Sequence, residues 1–84
     1  MRFYKLNVDG SAKAHGEDAR GGCIVRSWTG ELLAASSHKC GNHTVLYAEL
    51  RAFLDGLKLC CKLRLLNVVI EVDCMEVIKL ISYS

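Results

Sequence analysis

The apolar residues of this chain change their period part-way along it, and that change restricts what the chain can fold into. From Arg2 to Asp9 they alternate, with Tyr4, Leu6 and Val8 on one side and Lys5, Asn7 and Asp9 on the other, the period of two of a strand with one buried face. Gly22 to Trp28 and Leu32 to Lys39 also read as strands, and Trp28-Thr29-Gly30-Glu31 between them reads as a tight turn, which makes a hairpin. Residues 11–21, small, polar and glycine-containing, read as the loop joining the first two strands. From Thr44 to Leu63 the period becomes helical: Leu46, Leu50, Phe53, Leu54, Leu57 and Cys61 form an apolar face, and Arg51, Asp55, Lys58 and Lys62 a polar one. Ala48, Ala52 and Gly56 form a small-residue flank along which the backbone can approach a sheet, a reason for a mid-helix glycine that otherwise costs about 1 kcal/mol. Leu66 to Val72, centred on Val68-Val69-Ile70, is the near-continuous apolar run of a parallel strand buried on both faces. A second helical pattern (Met75, Val77, Ile78, Leu80, Ile81) follows Asp73.

Composition narrows the class. Eighty-four residues, 51% hydrophobic and 24% charged, suit one globular domain spanning 1–84 and are too apolar for intrinsic disorder. A net charge of +2 is too mild to argue for a polyanionic partner, so any such argument rests on local placement. No run reaches the roughly 18 to 20 apolar residues of a membrane span, and Met1-Arg2-Phe3-Tyr4-Lys5 turns polar too soon for a signal peptide. An intracellular setting, cytoplasmic or nuclear, with no membrane partner is expected. The five cysteines (Cys23, Cys40, Cys60, Cys61, Cys74) are odd in number and contain no C-x-x-C pair. Buried free thiols are therefore expected rather than a disulfide framework or a zinc site.

The order βββαβα has a geometric consequence. If the first three strands run up, down and up, the helix starts at the top and descends, and the fourth strand rises parallel to an odd-numbered one by a right-handed crossover. Pairing it with the first strand gives a mixed α/β sheet. Asp9 and Asp73 then close neighbouring strands at the same edge, and Glu49 lies about five residues, some ~7.5 Å, into a helix that begins there. Three carboxylates converge at the end of the sheet where open α/β folds bind ligands. Close carboxylates repel unless a divalent cation neutralises them, and oxygen-only donors suit Mg²⁺ or Mn²⁺. Two such ions about 4 Å apart can activate a water on one side of a phosphodiester and stabilise the leaving oxygen on the other. Taken singly, each acid has a plainer reading: Asp9-Gly10-Ser11 as a turn, Glu49 as a solvated helix residue, Asp73 as a helix N-cap.

Asn7-Val8-Asp9-Gly10-Ser11, Gly21-Gly22-Cys23-Ile24-Val25-Arg26 with Gly30, Ala48-Glu49-Leu50 with Gly56-Leu57, and Val69-Ile70-Glu71-Val72-Asp73 together resemble the ribonuclease H domain. The likeness is to its plant branch, related to retrotransposon reverse transcriptases. The separations of 40 residues from Asp9 to Glu49 and 24 from Glu49 to Asp73 follow the family order, over almost the whole chain. The resemblance implies a ribonuclease H-like mixed sheet of three antiparallel strands with a fourth parallel to the first. It implies an endonuclease that cuts the RNA strand of RNA–DNA hybrids with two Mg²⁺ or Mn²⁺ ions. Asp9 would bridge the metals and Glu49 and Asp73 would complete one of them, while Gly10 and Ser11 would approach the scissile strand and its 2′-hydroxyls.

The chain departs from the family pattern in places. The family carries a fourth metal-binding aspartate and a mobile histidine beyond the last helix, in a strand and helix that this sequence lacks; His15, His38 and His43 lie elsewhere. Val45, Leu46 and Tyr47 stand where bacterial relatives place polar residues before the helix glutamate. Two classes of function follow: a metal-dependent ribonuclease of weak or no activity in this chain alone, or a non-catalytic retroelement remnant that binds nucleic acid or protein. The fourth strand would also become an exposed apolar edge, so self-association through it is expected.

Overall fold

The computed structural model describes residues 2–11 and 18–72. They form strand β1 (Tyr4–Ser11), strand β2 (Ala19–Arg26), strand β3 (Leu32–Gly41), helix α1 (Val45–Lys62) and strand β4 (Val68–Val72). The sheet order is β3-β2-β1-β4, with β1–β2 and β2–β3 antiparallel and β1–β4 parallel. This is the expected mixed sheet. The second helical pattern, with Cys74, lies outside the described residues. No helix among the described residues is long and apolar enough to cross a membrane.

The first two strands differ from expectation at their boundaries. β1 continues through Gly10 and Ser11, and β2 begins at Ala19 rather than Gly22. Gly10 pairs with Gly21 and Ser11 with Arg20, so the small residues expected to be loop are ladder residues. They are small because the helix lies on them: a β-carbon at Gly21 would overlap the Ala48 carbonyl oxygen and lie 3.1 Å from Ala52 Cβ. Ala19 beside it is fully buried. The β2–β3 hairpin turns where expected, closed by Gly30 N–H to Ser27 O (2.9 Å) and Ser27 N–H to Glu31 O (2.9 Å). Gly30 there has φ +87°, a value that favours glycine.

α1 starts at a side-chain cap, the Thr44 hydroxyl accepting from Tyr47 N–H at 3.0 Å. Its buried residues are Ala48, Glu49, Ala52, Gly56 and Cys60. The small-residue stripe, expected as a flank, is thus the centre of the packed face, and Leu54 and Cys61 of the expected apolar face are exposed. The reason is depth: with Gly10 and Gly21 beneath, the helix settles too close to the sheet for a leucine row to fit between. Leu6, Val8, Cys23 and Val25 meet Ala52 and Cys60 in the core, with Phe53, Leu59 and Val68 packed around them. Cys23 and Cys60 are the buried thiols that were expected, whereas Cys61 is exposed and Cys40 only half-buried. β4 pairs as expected but is not buried on both faces; Val69 is 43% and Ile70 39% exposed. Among the described residues β4 has a strand on one side only, which is the edge position anticipated for it.

Candidate active site

Alternation along β1 separates two sides of the sheet. Leu6, Val8 and Gly10 point to the helix, while Lys5, Asn7, Asp9 and Ser11 point to the open face. The register places Gly22, Ile24 and Arg26 of β2 beside them, with Val69 and Glu71 of β4 on the other flank. A cavity of about 510 Å³ on this face is lined by Asn7, Asp9, Ile24, Ser37 and Glu71 among others.

Asp9 is exposed, and its Oδ1 accepts from Gly10 N–H at 2.9 Å, which orients the carboxylate at the strand's end. Glu49 comes from the other layer. It is the fifth residue of α1 and only 4% exposed, the buried charged residue among those described. Gly10 joins the two. It follows Asp9 in the chain, and a β-carbon on it would overlap Glu49 Cγ and lie 2.9 Å from the Glu49 backbone nitrogen. Burying a carboxylate is expensive unless its charge is compensated. Neither plain reading survives for these acids, since Asp9-Gly10-Ser11 is strand and Glu49 is enclosed.

Gly10 is half-buried beneath Glu49, and Ser11 is exposed at the strand end opposite Arg20. Asp73 lies outside the described residues; the residue before it, Val72, pairs with Val8 in parallel register. Carboxylate oxygens are the donors a hard divalent cation takes. Here Asp9 on the open face and Glu49 from the helix layer are linked through Gly10, whose missing side chain leaves the space that Glu49 fills, and among the described residues no three such side chains gather into a metal-binding group.

A polar group two residues from Asp9 was missed in the sequence. Asn7 Nδ2 donates to Glu71 Oε2 at 2.7 Å, and Lys5 Nζ lies 3.3 Å from Glu71 Oε1. The Asn7 hydrogen bond, then Lys5, holds the Glu71 carboxyl below the ordinary glutamate range. Parallel register together with strand alternation is the signal that finds this group, because it sets Asn7 opposite Glu71 on the face of Asp9. On the helix side, Asp55 takes Arg51 (Nε, 3.6 Å) and His38 (Nδ1, 3.7 Å), so the cationic stripe of α1 is in part engaged within the fold.

Residues 7–84 match the reverse transcriptase-like family. A comparison with curated proteins finds no match. Among solved structures, the chain is similar to the N-terminal RNase H domain of a Mycobacterium tuberculosis protein, fused to maltose-binding protein (TM-score 0.88, 24% identity, 99% of this chain and 60% of that one). It is similar to RNase H1 of the halophilic archaeon Halobacterium salinarum (0.85, 20%, 96% and 61%). LC11-RNase H1, isolated from compost by a metagenomic approach and solved in complex with an RNA/DNA hybrid, matches at 0.84 and 20% identity, over 95% of this chain and 61% of that one. The chain therefore spans about three fifths of the structures it matches. With its mixed β3-β2-β1-β4 sheet and residues 7–84 matched, it belongs to the reverse transcriptase-like family and has the ribonuclease H fold.

Proposed function

We propose that this chain carries the carboxylate end of a metal-dependent ribonuclease site acting on the RNA strand of RNA–DNA hybrids. The observation that carries the reading is Gly10, the residue following Asp9, against which the buried Glu49 packs its backbone and Cγ. Asp9, Glu49 and Asp73 would hold Mg²⁺ or Mn²⁺, Asp73 being the residue that follows Val72 in the chain. When bound, such ions activate a water for attack on a phosphodiester and stabilise the departing oxygen. The chain's own residues do the placing. Asp9 presents its carboxylate to the open face, steadied by Gly10 N–H. Ser11, exposed at the strand end, lies beside the cut strand and offers its hydroxyl to a 2′-hydroxyl, the group that marks RNA. Support for a nucleic-acid ligand comes from LC11-RNase H1, held with an RNA/DNA hybrid, and from a foamy viral protease-reverse transcriptase, held with dsDNA (TM-score 0.62, 18% identity).

The test is cleavage of a labelled RNA–DNA hybrid in Mg²⁺ and in Mn²⁺, with Asp9→Asn as control. Metal-dependent cutting that Asp9→Asn abolishes supports the reading. Binding of the hybrid without cutting in either metal leaves a nucleic-acid-binding remnant of a retroelement and overturns the catalytic assignment.

Among the described residues the outer edge of β4 is open, with Val69 and Ile70 exposed, and we propose that it pairs with a second copy in solution. A monodisperse monomer at high concentration in sedimentation overturns that pairing.

A further inference from the structure

At the far end of the open face from Asp9, the β2–β3 turn carries an exposed aromatic. Trp28 is 47% exposed, the Arg2 guanidinium stands over its ring at 5.1 Å, and Tyr4 meets it edge-on at 5.2 Å. Phe3 beside it is 46% exposed. On the helix side Tyr4 and Trp28 border a cavity with Leu63 and Leu65, while Trp28 also reaches the open face. Arg2, Phe3 and Trp28 line a groove of about 670 Å³ together with Lys5, Arg26 and Glu71. Three cations against one carboxylate leave the groove positive, even with Lys5 paired to Glu71.

The groove continues toward Asp9. Asn7 and Glu71 line both it and the cavity that Asp9 borders. Lys5 and Asp9 lie on one face of one strand, four residues or about 13 Å apart, the length of about four stacked nucleotides at 3.4 Å each. Aromatic rings and guanidinium planes stack bases regardless of sequence, and cations between them follow the phosphates.

We infer that the Arg2–Trp28 cluster is a second nucleic-acid contact, which holds an unpaired RNA extension of the strand lying at Asp9. It rests on the reading of the Asp9 end given above. A base stacks on the Trp28–Arg2 pair, Phe3 flanks it, and Arg26 and Lys5 face the backbone. The choice of RNA follows from continuity: the groove prolongs the face on which the cut strand is read to lie.

Trp28 is the single tryptophan of the chain and so reports on its own contact. The experiment titrates the protein, without metal, with a blunt RNA–DNA hybrid and with hybrids bearing an overhang of about six nucleotides, of RNA or of DNA. Tryptophan emission and the anisotropy of the labelled nucleic acid are read together. The RNA overhang is expected to change Trp28 emission saturably and to tighten binding roughly tenfold. Arg2→Ala and Trp28→Leu are expected to remove that gain and leave binding of the blunt hybrid unchanged. Arg2→Ala alone carries the test if Trp28→Leu proves misfolded by circular dichroism. Emission that stays constant while the overhang hybrid binds overturns the contact but not the ribonuclease reading, and so does a response to the DNA overhang alone. A response to the RNA overhang without binding of the blunt hybrid supports the contact and counts against the Asp9 end.

Discussion

Glu49 rests on Gly10: a β-carbon at Gly10 would overlap Glu49 Cγ and come within 2.9 Å of the Glu49 backbone nitrogen. One glycine therefore sets both how near α1 comes to β1 and where the enclosed carboxylate stands. Gly10→Ala should push the start of α1 off the sheet at a cost of about 1–3 kcal/mol, the usual range for overpacking. Thermal melting should fall, and hybrid cleavage should fall at least as far as for Glu49→Gln. A variant with unchanged melting and cleavage would mean that the helix yields freely there.

Gly56 makes a second close approach. In an exposed helix, Gly→Ala gains about 1 kcal/mol. Here the new β-carbon would stand 2.7 and 2.9 Å from the two δ-methyls of the fully buried Leu6. Gly56→Ala is expected to lower the urea midpoint, and adding Leu6→Val is expected to recover part of the loss. A rise in midpoint for the single variant would show that Leu6 has room to move.

The Asn7–Glu71–Lys5 group predicts an acid-range effect. The folded carboxyl of Glu71 titrates below the ordinary value of 4.5, first through the Asn7 hydrogen bond and then through Lys5. Stability from a lowered carboxyl is fully present above the unfolded value and is lost as pH falls through the folded one. Asn7→Ala should move the Glu71 titration upward, read by NMR of the side-chain carboxyl. An unmoved titration would assign the shift to Lys5 alone.

Thiol chemistry separates the described cysteines. Cys61 is exposed, whereas Cys23 and Cys60 are buried. Burial raises both buried thiols above the ordinary 9.0; Asp55 adds to this at Cys23, and Cys61 at Cys60. A neutral maleimide should label Cys61 first and Cys23 and Cys60 only on unfolding. Because raised thiols favour the neutral form, their contribution to stability is full below pH 9 and is lost as the pH climbs past it. Mass mapping of labelled peptides checks the order, and early labelling of Cys23 would contradict the packing described.

The N-cap of α1 offers a change away from the carboxylates. Thr44→Ala removes the acceptor for Tyr47 N–H and should cost about 1 kcal/mol. Thr44→Ser should restore most of it. Chemical denaturation of the three proteins gives the comparison.

The sequence by itself determined the order of the described elements, the β2–β3 turn, the extent of α1 and the parallel sense of β4, which follow from local periodicity and chain connectivity, both written in linear order; that β4 pairs with β1 rather than β3 came from the family likeness. It also singled out Asp9 and Glu49, through their spacing and a family likeness. It did not reveal that Ala19 to Gly21 are strand, because small residues carry no local signal for a ladder that exists only when β1 and a helix close over it. Nor did it identify Ala48, Ala52, Gly56 and Cys60 as the packed face of α1 rather than its leucine row. Periodicity ranks faces by hydrophobicity, but helix-to-sheet distance is decided by volume on both partners, here by Gly10 and Gly21 lying beneath. The Asn7–Glu71–Lys5 group and the Arg2–Trp28 cluster belong to tertiary structure for the same reason. Each joins residues far apart in the chain that only register across the sheet, or the return of the β2–β3 turn to the start of β1, brings within reach.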